Sequence, residues 1–243
     1  ITSQCGSADV LERLGVRVDL DPAEAGVWLR EHGFAFFFAP RYHPAFRQIA
    51  PARKLCAERG QRTIFNFLGP LLNPAQPTAQ LIGVPRPELC EPIGRVLQSM
   101  GVRRGMVVSG AVPREEPSAG GGQTAWLDEW STLGETTVAE FYHERGFHVS
   151  RLAPPDLGLQ PVKLRDLEGG DPESNARIVR EIIENRDRGP RREAVMIKAA
   201  AAFLVSGLAR SLVEGWDQAG RIIDLGQARE KLEELVAASK PAV

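Results

Sequence analysis

Residues Gln80–Ser109 read QLIGVPRPELCEPIGRVLQSMGVRRGMVVS, and this stretch sets the expected architecture. Gln80 to Val84 is a short apolar run of strand length, and Met106 to Ser109 is a second. Between them, residues 87–100 place Leu89, Ile93, Val96, Leu97 and Met100 on one helical stripe, and Gly101 supplies the stop. Strands alternating with helices predict an α/β fold: a mainly parallel central sheet flanked by helices.

Working outward, Asp21-Pro22-Ala23-Glu24 offers an N-cap acid, a proline at the first helical position and a glutamate at the capping-box position, and Gly33 closes that segment. The aromatic run Phe34 to Phe38 reads as a buried strand, and Arg62 to Leu68 as a short helix or turn broken by Gly69-Pro70. Residues 111–124 are rich in Gly, Pro and Ser and read as a mobile loop. Val138 to Tyr142 and Phe147 to Leu152 read as a hairpin. Asp171-Pro172 caps a helix running to about Asn185, and Arg192 to Leu208, with its poly-Ala centre, predicts a central buried helix. The C-terminal stretch reads as two short amphipathic helices, and no internal repeat is visible.

The chain has 243 residues, 43% hydrophobic and 25% charged, enough for one large domain or a domain plus a lobe. A net charge of −1 with scattered Lys and Arg gives no support to a nucleic-acid groove or a membrane-binding basic patch. Cys5, Cys56 and Cys90 are odd in number and lack metal-ligand spacing, as expected of reduced thiols in a cytoplasmic protein. No apolar run approaches the ~20 residues of a membrane helix.

Three constellations could carry chemistry. Thr2, Ser3 and Ser7 surround Gly6 just before the apolar-periodic segment Ala8 to Leu14. A hydroxyl-rich turn entering a helix suits phosphate or another anion, and equally suits a merely capped helix. The chain lacks an initiator Met and begins inside this element, so it reads as cut. Asp128-Glu129 follows the Gly-rich loop and is flanked by Trp126, Leu127 and Trp130. Paired carboxylates suit Mg²⁺, which keeps several waters and bridges to substrate phosphates; the alternative is a solvated acidic pair. Pro40-Arg41-Tyr42-His43-Pro44 precedes Phe46 and Arg53, which are seven residues apart and so share a helix face. An aromatic and a guanidinium there suit a flat carboxylate ligand, or else form an ordinary amphipathic helix. His43 has no Cys or His partner at ligand spacing and is not read as a metal ligand.

Taken in order, Ser3–Glu12 (SQCGSADVLE), Phe38–Arg53 (FAPRYHPAFRQIAPAR), Arg62–Pro74 (RTIFNFLGPLLNP), Gln80–Val84 (QLIGV), Leu127–Ser131 (LDEWS), Gly169–Ala176 (GGDPESNA) and Arg191–Ala202 (RREAVMIKAAAA) resemble the anthranilate phosphoribosyltransferase family. The resemblance implies an α/β domain of the phosphoribosyltransferase and nucleoside phosphorylase type, with a smaller helical domain. On that pattern, residues 1–39 and 59–243 form the domain that binds phosphoribosyl pyrophosphate, and 40–58 are a remnant of the helical domain. It implies transfer of the phosphoribosyl group to the amine of anthranilate, with release of pyrophosphate and use of Mg²⁺, in tryptophan biosynthesis. It also implies a homodimer.

By the same resemblance, Ile1, Thr2, Ser3 and Ser7 match the end of a phosphate-binding loop. Arg53 matches the arginine that binds the anthranilate carboxylate, Pro40 and Phe46 line the anthranilate channel, and Asp128 and Glu129 hold Mg²⁺. No residue is nominated as a general acid or base. The family's Gly-Thr-Gly-Gly-Asp and Lys-His-Gly-Asn motifs and a second metal-site serine belong upstream of Ile1, so the 243-residue chain is expected to be inactive alone. Cys5 stands where Ser is usual, Ser109 where His is usual and Lys198 where Asn is usual, leaving Lys198 as a charge in need of a partner; the 111–124 loop is longer than common. The competing expectations are a pyrimidine nucleoside phosphorylase of the same fold and a non-catalytic relative that binds nucleic acid.

Overall fold

The helix after Leu20 shows how closely local chemistry fixes the elements. The Asp21 carboxylate accepts from the Glu24 N–H at 2.9 Å, and the Glu24 carboxylate accepts from the Asp21 N–H at 2.9 Å. This reciprocal cap satisfies two N–H groups that the helix cannot. Gly33 ends the helix in the left-handed conformation, φ +68°.

A computed structural model describes residues 5–61, 63, 65–113, 124–143, 145–160 and 162–240. In chain order the elements are α1 (Ser7–Leu14), α2 (Pro22–His32), α3 (Ala39–Tyr42), α4 (Ala45–Glu58), α5 (Phe65–Leu71), β1 (Ala79–Gly83), α6 (Cys90–Ser99), β2 (Arg104–Val112) and β3 (Ala125–Leu127). They continue as β4 (Thr136–Tyr142), β5 (Gly146–Leu152), α7 (Leu164–Leu167), α8 (Pro172–Ile183), α9 (Pro190–Ser206), α10 (Leu212–Asp224) and α11 (Gln227–Ala238). Pro87–Leu89 and Pro154–Leu157 form single 3₁₀ turns. The chain divides into two compact units, one of Ile1–Gln76, Gly169–Ile183 and Gly226–Val243, the other of Pro77–Glu168 and Glu184–Leu225.

The first unit is helical among its described residues. Leu14, Val16, Leu20, Ala25 and Trp28 form its core with Ala176 of α8 and Leu235 of α11. Arg180 of α8 donates to the Leu14 carbonyl at 3.1 Å, and His32 meets Glu234 of α11 at 2.8 Å. The expected strand at Phe34–Phe38 is not formed. Phe34, Ala35 and Phe37 pack on the helical core instead, and β1–β5, the described strands, all belong to the other unit, so this run has no edge to join. The helix expected over Arg62–Leu68 begins at Phe65 and runs through Gly69-Pro70 to Leu71; Pro70 has no N–H to donate to the preceding turn, and the helix ends one residue later. Arg62 and Ile64 lie outside the described residues.

The second unit holds the sheet, ordered β1-β2-β4-β5 with β3 also on β2. The sheet is not the mainly parallel one expected from the sequence. Only β1 and β2 pair in parallel; β2–β3, β2–β4 and β4–β5 are antiparallel. A parallel pair needs a long crossover, and among the described residues α6 supplies the only one between successive strands of this sheet, whereas β4 and β5 follow each other closely and pair antiparallel. The α/β class, with helices flanking the sheet, holds.

Met106, Val108, Val138 and Trp130 pack with Ile197, Ala201 and Val205 of α9 on one face of the sheet. The alternate residues, such as Ala139, face α6, where Gly94 makes room for Phe147. The poly-Ala centre of α9 serves α10: a Cβ on Gly215 would stand 2.7 Å from the Ala200 carbonyl oxygen, so only small residues allow that approach. The remaining helices expected from the sequence are present, as is the hairpin. Of the 111–124 loop, 114–123 lie outside the described residues, and Ala111 and Val112 still belong to β2.

Candidate active site

The acidic pair sits where the sheet makes room for it. Gly110 pairs with Thr136 on one edge of β2 and with Leu127 on the other. That second edge is the one β1 follows as far as Val108, so β3 continues along it beyond the end of β1. Asp128 and Glu129 leave β3 at this point, at the C-terminal ends of the two parallel strands. Ligands of α/β sheets bind preferentially at such ends.

Two glycines set the turn's height. A Cβ on Gly83 would fall 1.5 Å from the Asp128 carbonyl oxygen, and one on Gly110 would fall 2.5 Å from the Ser131 Cβ and 2.7 Å from the Glu129 carbonyl oxygen. The turn is then locked from beneath. The Ser131 hydroxyl donates to the Ala111 carbonyl at 2.7 Å and accepts from the Leu133 and Gly134 N–H groups at 3.1 and 3.2 Å. The Ser131 N–H donates to the Thr136 hydroxyl at 3.0 Å. Trp130, Ser131 and Thr132 are buried, whereas Asp128 and Glu129 are exposed. The two tryptophans divide the work: Trp130 is an anchor in the core, and Trp126 is half-buried on β3. The carboxylates are thus a solvent-facing pair on a rigid base.

Their chemistry fits Mg²⁺. Hard carboxylate oxygens on a fixed turn can give one or two ligands, with substrate phosphate and water completing the shell. Among the described residues, no group of three or more His, Cys, Asp or Glu side chains converges to hold a metal, so a cage made by protein alone is not offered there. One of the two carboxylates is already engaged. The Lys198 ammonium, from α9, forms an ion pair with the Glu129 carboxylate. Burial of its stem pushes the Lys198 ammonium below the ordinary lysine range, and the charge of Asp128 opposes that shift. The residue that departs from the family pattern has therefore found its partner in the acidic pair.

Ser109 also departs from the pattern. It is fully buried in β2, and its hydroxyl has no hydrogen-bond partner among the described residues.

Arg53 and Phe46 lie on α4 in the first unit. Their seven-residue spacing brings the Arg53 guanidinium to 5.8 Å from the Phe46 ring centroid, and His43 meets that ring edge-on at 5.5 Å. The arginine is half-exposed, so its planar donor fork is accessible to a carboxylate. Pro40 is the second residue of the single turn α3, which Tyr42 ties down by donating to the Leu20 carbonyl at 3.0 Å.

Of the anion turn, Ile1, Thr2 and Ser3 lie outside the described residues. Ser7 is the exposed first residue of α1. The Gly6 N–H already donates to the Asp9 carboxylate at 2.7 Å. Asp9 thus takes one of the turn's donors and adds negative charge where an anion would sit. Cys5 contacts the Gly6 carbonyl through its sulfur at 3.7 Å.

Sequence reasoning missed the glycine seats and the Lys198–Glu129 pair. The interior glycines of QLIGV and VVSGAV were the available signal, because glycine in a strand often marks a close backbone approach.

Residues 1–229 match the family described as the glycosyl transferase family, a/b domain. Curated relatives named anthranilate phosphoribosyltransferase include one from Thermomicrobium roseum, 45% identical over 97% of this chain, and one from Symbiobacterium thermophilum, 42% identical over 96%. The chain spans 63% of the length of each. The crystal structure of anthranilate phosphoribosyltransferase from Thermus thermophilus superposes with a TM-score of 0.80 at 38% identity, covering 96% of this chain and 64% of that one. The Saccharomyces cerevisiae enzyme, in complex with PRPP and Mg, shares the fold with a TM-score of 0.78 at 24% identity, over 96% of this chain and 62% of that one. The sequence match and the shared fold together place this chain in the glycosyl transferase family, as its a/b domain.

Proposed function

We propose that this chain serves the transfer of the phosphoribosyl group from phosphoribosyl pyrophosphate to the anthranilate amine, giving N-(5-phosphoribosyl)anthranilate and pyrophosphate in tryptophan biosynthesis. The observation that carries this reading is the acidic pair fixed by Gly83 and Gly110 at the C-terminal ends of β1 and β2. The activity for which relatives 40–45% identical to the chain are named supports it.

The chemistry is a leaving-group problem. As the bond from the ribose C1 to the diphosphate loosens, the sugar gains oxocarbenium character and negative charge gathers on the departing oxygens. Asp128 and Glu129 would hold Mg²⁺, which when bound offsets that charge. Ser7, with Ile1, Thr2 and Ser3, would bind phosphate oxygens through hydroxyl and N–H donors. Arg53 would take the anthranilate carboxylate through two parallel hydrogen bonds, with Phe46 and Pro40 as the apolar wall. Holding both reactants in one geometry supplies much of the rate gain. An aromatic amine is a weak base whose lone pair is free at neutral pH, so the reading assigns no general base.

Residues 40–58 are read as part of the family's helical domain, the working enzyme as a homodimer and its compartment as the cytoplasm. No helix among the described residues is long and apolar enough to cross a membrane.

Calorimetric titration of phosphoribosyl pyrophosphate into the protein, with Mn²⁺ and then with EDTA, tests the reading. Binding is expected only with metal, and only while Asp128 and Glu129 are both intact. Tight binding of uridine in its place would favour the nucleoside phosphorylase alternative. Metal-independent binding of the sugar donor would overturn the role of the acidic pair.

A further inference from the structure

We propose that Lys198 is a resident competitor of the divalent cation: its ammonium holds the Glu129 carboxylate, and metal engages the acidic pair only by displacing it. This rests on the reading of Asp128 and Glu129 as the metal pair.

The geometry is specific. Lys198 projects from α9, where its neighbours Ile197 and Ala201 are packed in the core against β2 and β4. The ammonium therefore reaches Glu129 from a fixed element. Glu129 is held equally firmly, because its carbonyl oxygen lies against Gly110 and the next residues are locked through Ser131. Neither backbone can withdraw to break the ion pair, so exchange must occur at the side chains. Both side chains are partly exposed, which leaves the ammonium a route to solvent.

A carboxylate oxygen cannot coordinate Mg²⁺ closely while an ammonium occupies the same site. With Lys198 in place the three groups sum to one negative charge; without it, two negative charges face the incoming ion. Removing the lysine therefore both frees a ligand and strengthens attraction for a cation. An exposed ion pair at the upper end of its usual worth corresponds to a change of about fivefold in affinity. The same arrangement keeps Glu129 oriented before metal arrives, so Lys198 is a positioning residue.

Mn²⁺ alone is the probe, titrated into the full chain and followed by the loss of its free-ion electron paramagnetic resonance signal, which does not depend on turnover. Lys198→Asn is expected to bind Mn²⁺ about fivefold more tightly than the parent, and Lys198→Met should do the same. Lys198→Arg, which retains a cation, should stay close to the parent. Glu129→Gln should lose binding in either background. If Glu129→Gln weakens Mn²⁺ binding but Lys198→Asn and Lys198→Met bind no more tightly than the parent, the competitor role is overturned and the metal pair stands. If Glu129→Gln leaves Mn²⁺ affinity unchanged, or no protein binds the ion even with pyrophosphate added, the metal-pair reading fails and this inference falls with it. Thermal unfolding followed by circular dichroism accompanies each variant, and having two neutral replacements keeps the test open if one does not fold.

Discussion

Gly83→Ala is the most revealing single change, because it adds one methyl group beneath the acidic turn. The new Cβ would stand 1.5 Å from the Asp128 carbonyl oxygen and 2.3 Å from its carbonyl carbon. Cβ atoms essentially never lie closer than 3.0 Å to such neighbours, so the turn or the strand must retreat by about 1.5 Å. Both obstacles are backbone atoms, so no side-chain rotation relieves the clash. Retreat is resisted by the Ser131 hydrogen bonds and by the matching contact at Gly110. Overpacking of this kind costs about 1–3 kcal/mol, and the upper half of that range is expected here. A 1 Å misplacement of catalytic groups can cost about 100-fold in rate, and a turn shifted by more than that moves both carboxylates off their seat, so Mn²⁺ affinity is expected to fall about tenfold. Urea unfolding followed by circular dichroism measures the first effect and Mn²⁺ titration the second. Gly26→Ala is the control: its added Cβ meets only the flexible end of the Arg30 side chain, at 3.6 Å, and within α2 the change should be neutral or stabilising by up to ~1 kcal/mol. Parent-like urea midpoint and Mn²⁺ affinity in Gly83→Ala would refute the view that this glycine seats the acidic pair.

Arg53→Ala should weaken anthranilate binding, followed by the ligand's own fluorescence, by about tenfold or more, the value of a charge-assisted hydrogen-bonded pair; unchanged affinity removes Arg53 from the site. Burial pushes the Cys90 thiol up to about 12, while Cys5 and Cys56 are partly exposed. A thiol reagent at pH 8 should therefore label two cysteines in the native protein and three in denaturant, and rapid labelling of all three in the native state would contradict the packing of α6. The Asp21 N–H, and after it the Arg17 fork at 2.7 Å, hold the Glu24 carboxylate below the ordinary glutamate range. A carboxylate depressed in the folded state contributes stability above its unfolded pKa, about 4.3, and loses that contribution as pH falls through the folded value. The parent's unfolding midpoint should drop more steeply than that of Glu24→Gln below about pH 4.3, and parallel profiles would count against the reciprocal cap.

Much of this architecture was legible because short-range rules decided it. The Asp21-Pro22-Ala23-Glu24 cap, the Gly33 and Gly101 helix ends and the β4–β5 hairpin are each settled within a few residues. Strand direction was not legible in the same way. Apolar runs such as Met106–Ser109 do not record which neighbour they will pair with, and β2 took antiparallel partners on both edges. Phe34–Phe38 had strand composition, but helices reaching it from α8 and α11, far along the chain, provided a different place to bury it. At the candidate site the residue types were readable, and their chemistry followed from oxygen ligands and a planar guanidinium. What could not be read was the contact between Lys198 and Glu129, which depends on α9 crossing the sheet at one particular height. The clash that seats Asp128 on Gly83 likewise joins residues brought together only by the register of β1, β2 and β3.

The proposed reaction depends on Asp128 and Glu129 binding a divalent cation that accompanies a diphosphate. A crystal of the protein soaked in Mn²⁺ and pyrophosphate, with diffraction collected at the manganese edge, addresses it directly. An anomalous peak within coordination distance of either carboxylate, bridged to the diphosphate and with the Lys198 ammonium moved off Glu129, is the predicted result. A bound diphosphate with manganese elsewhere, and the lysine still on Glu129, would contradict it.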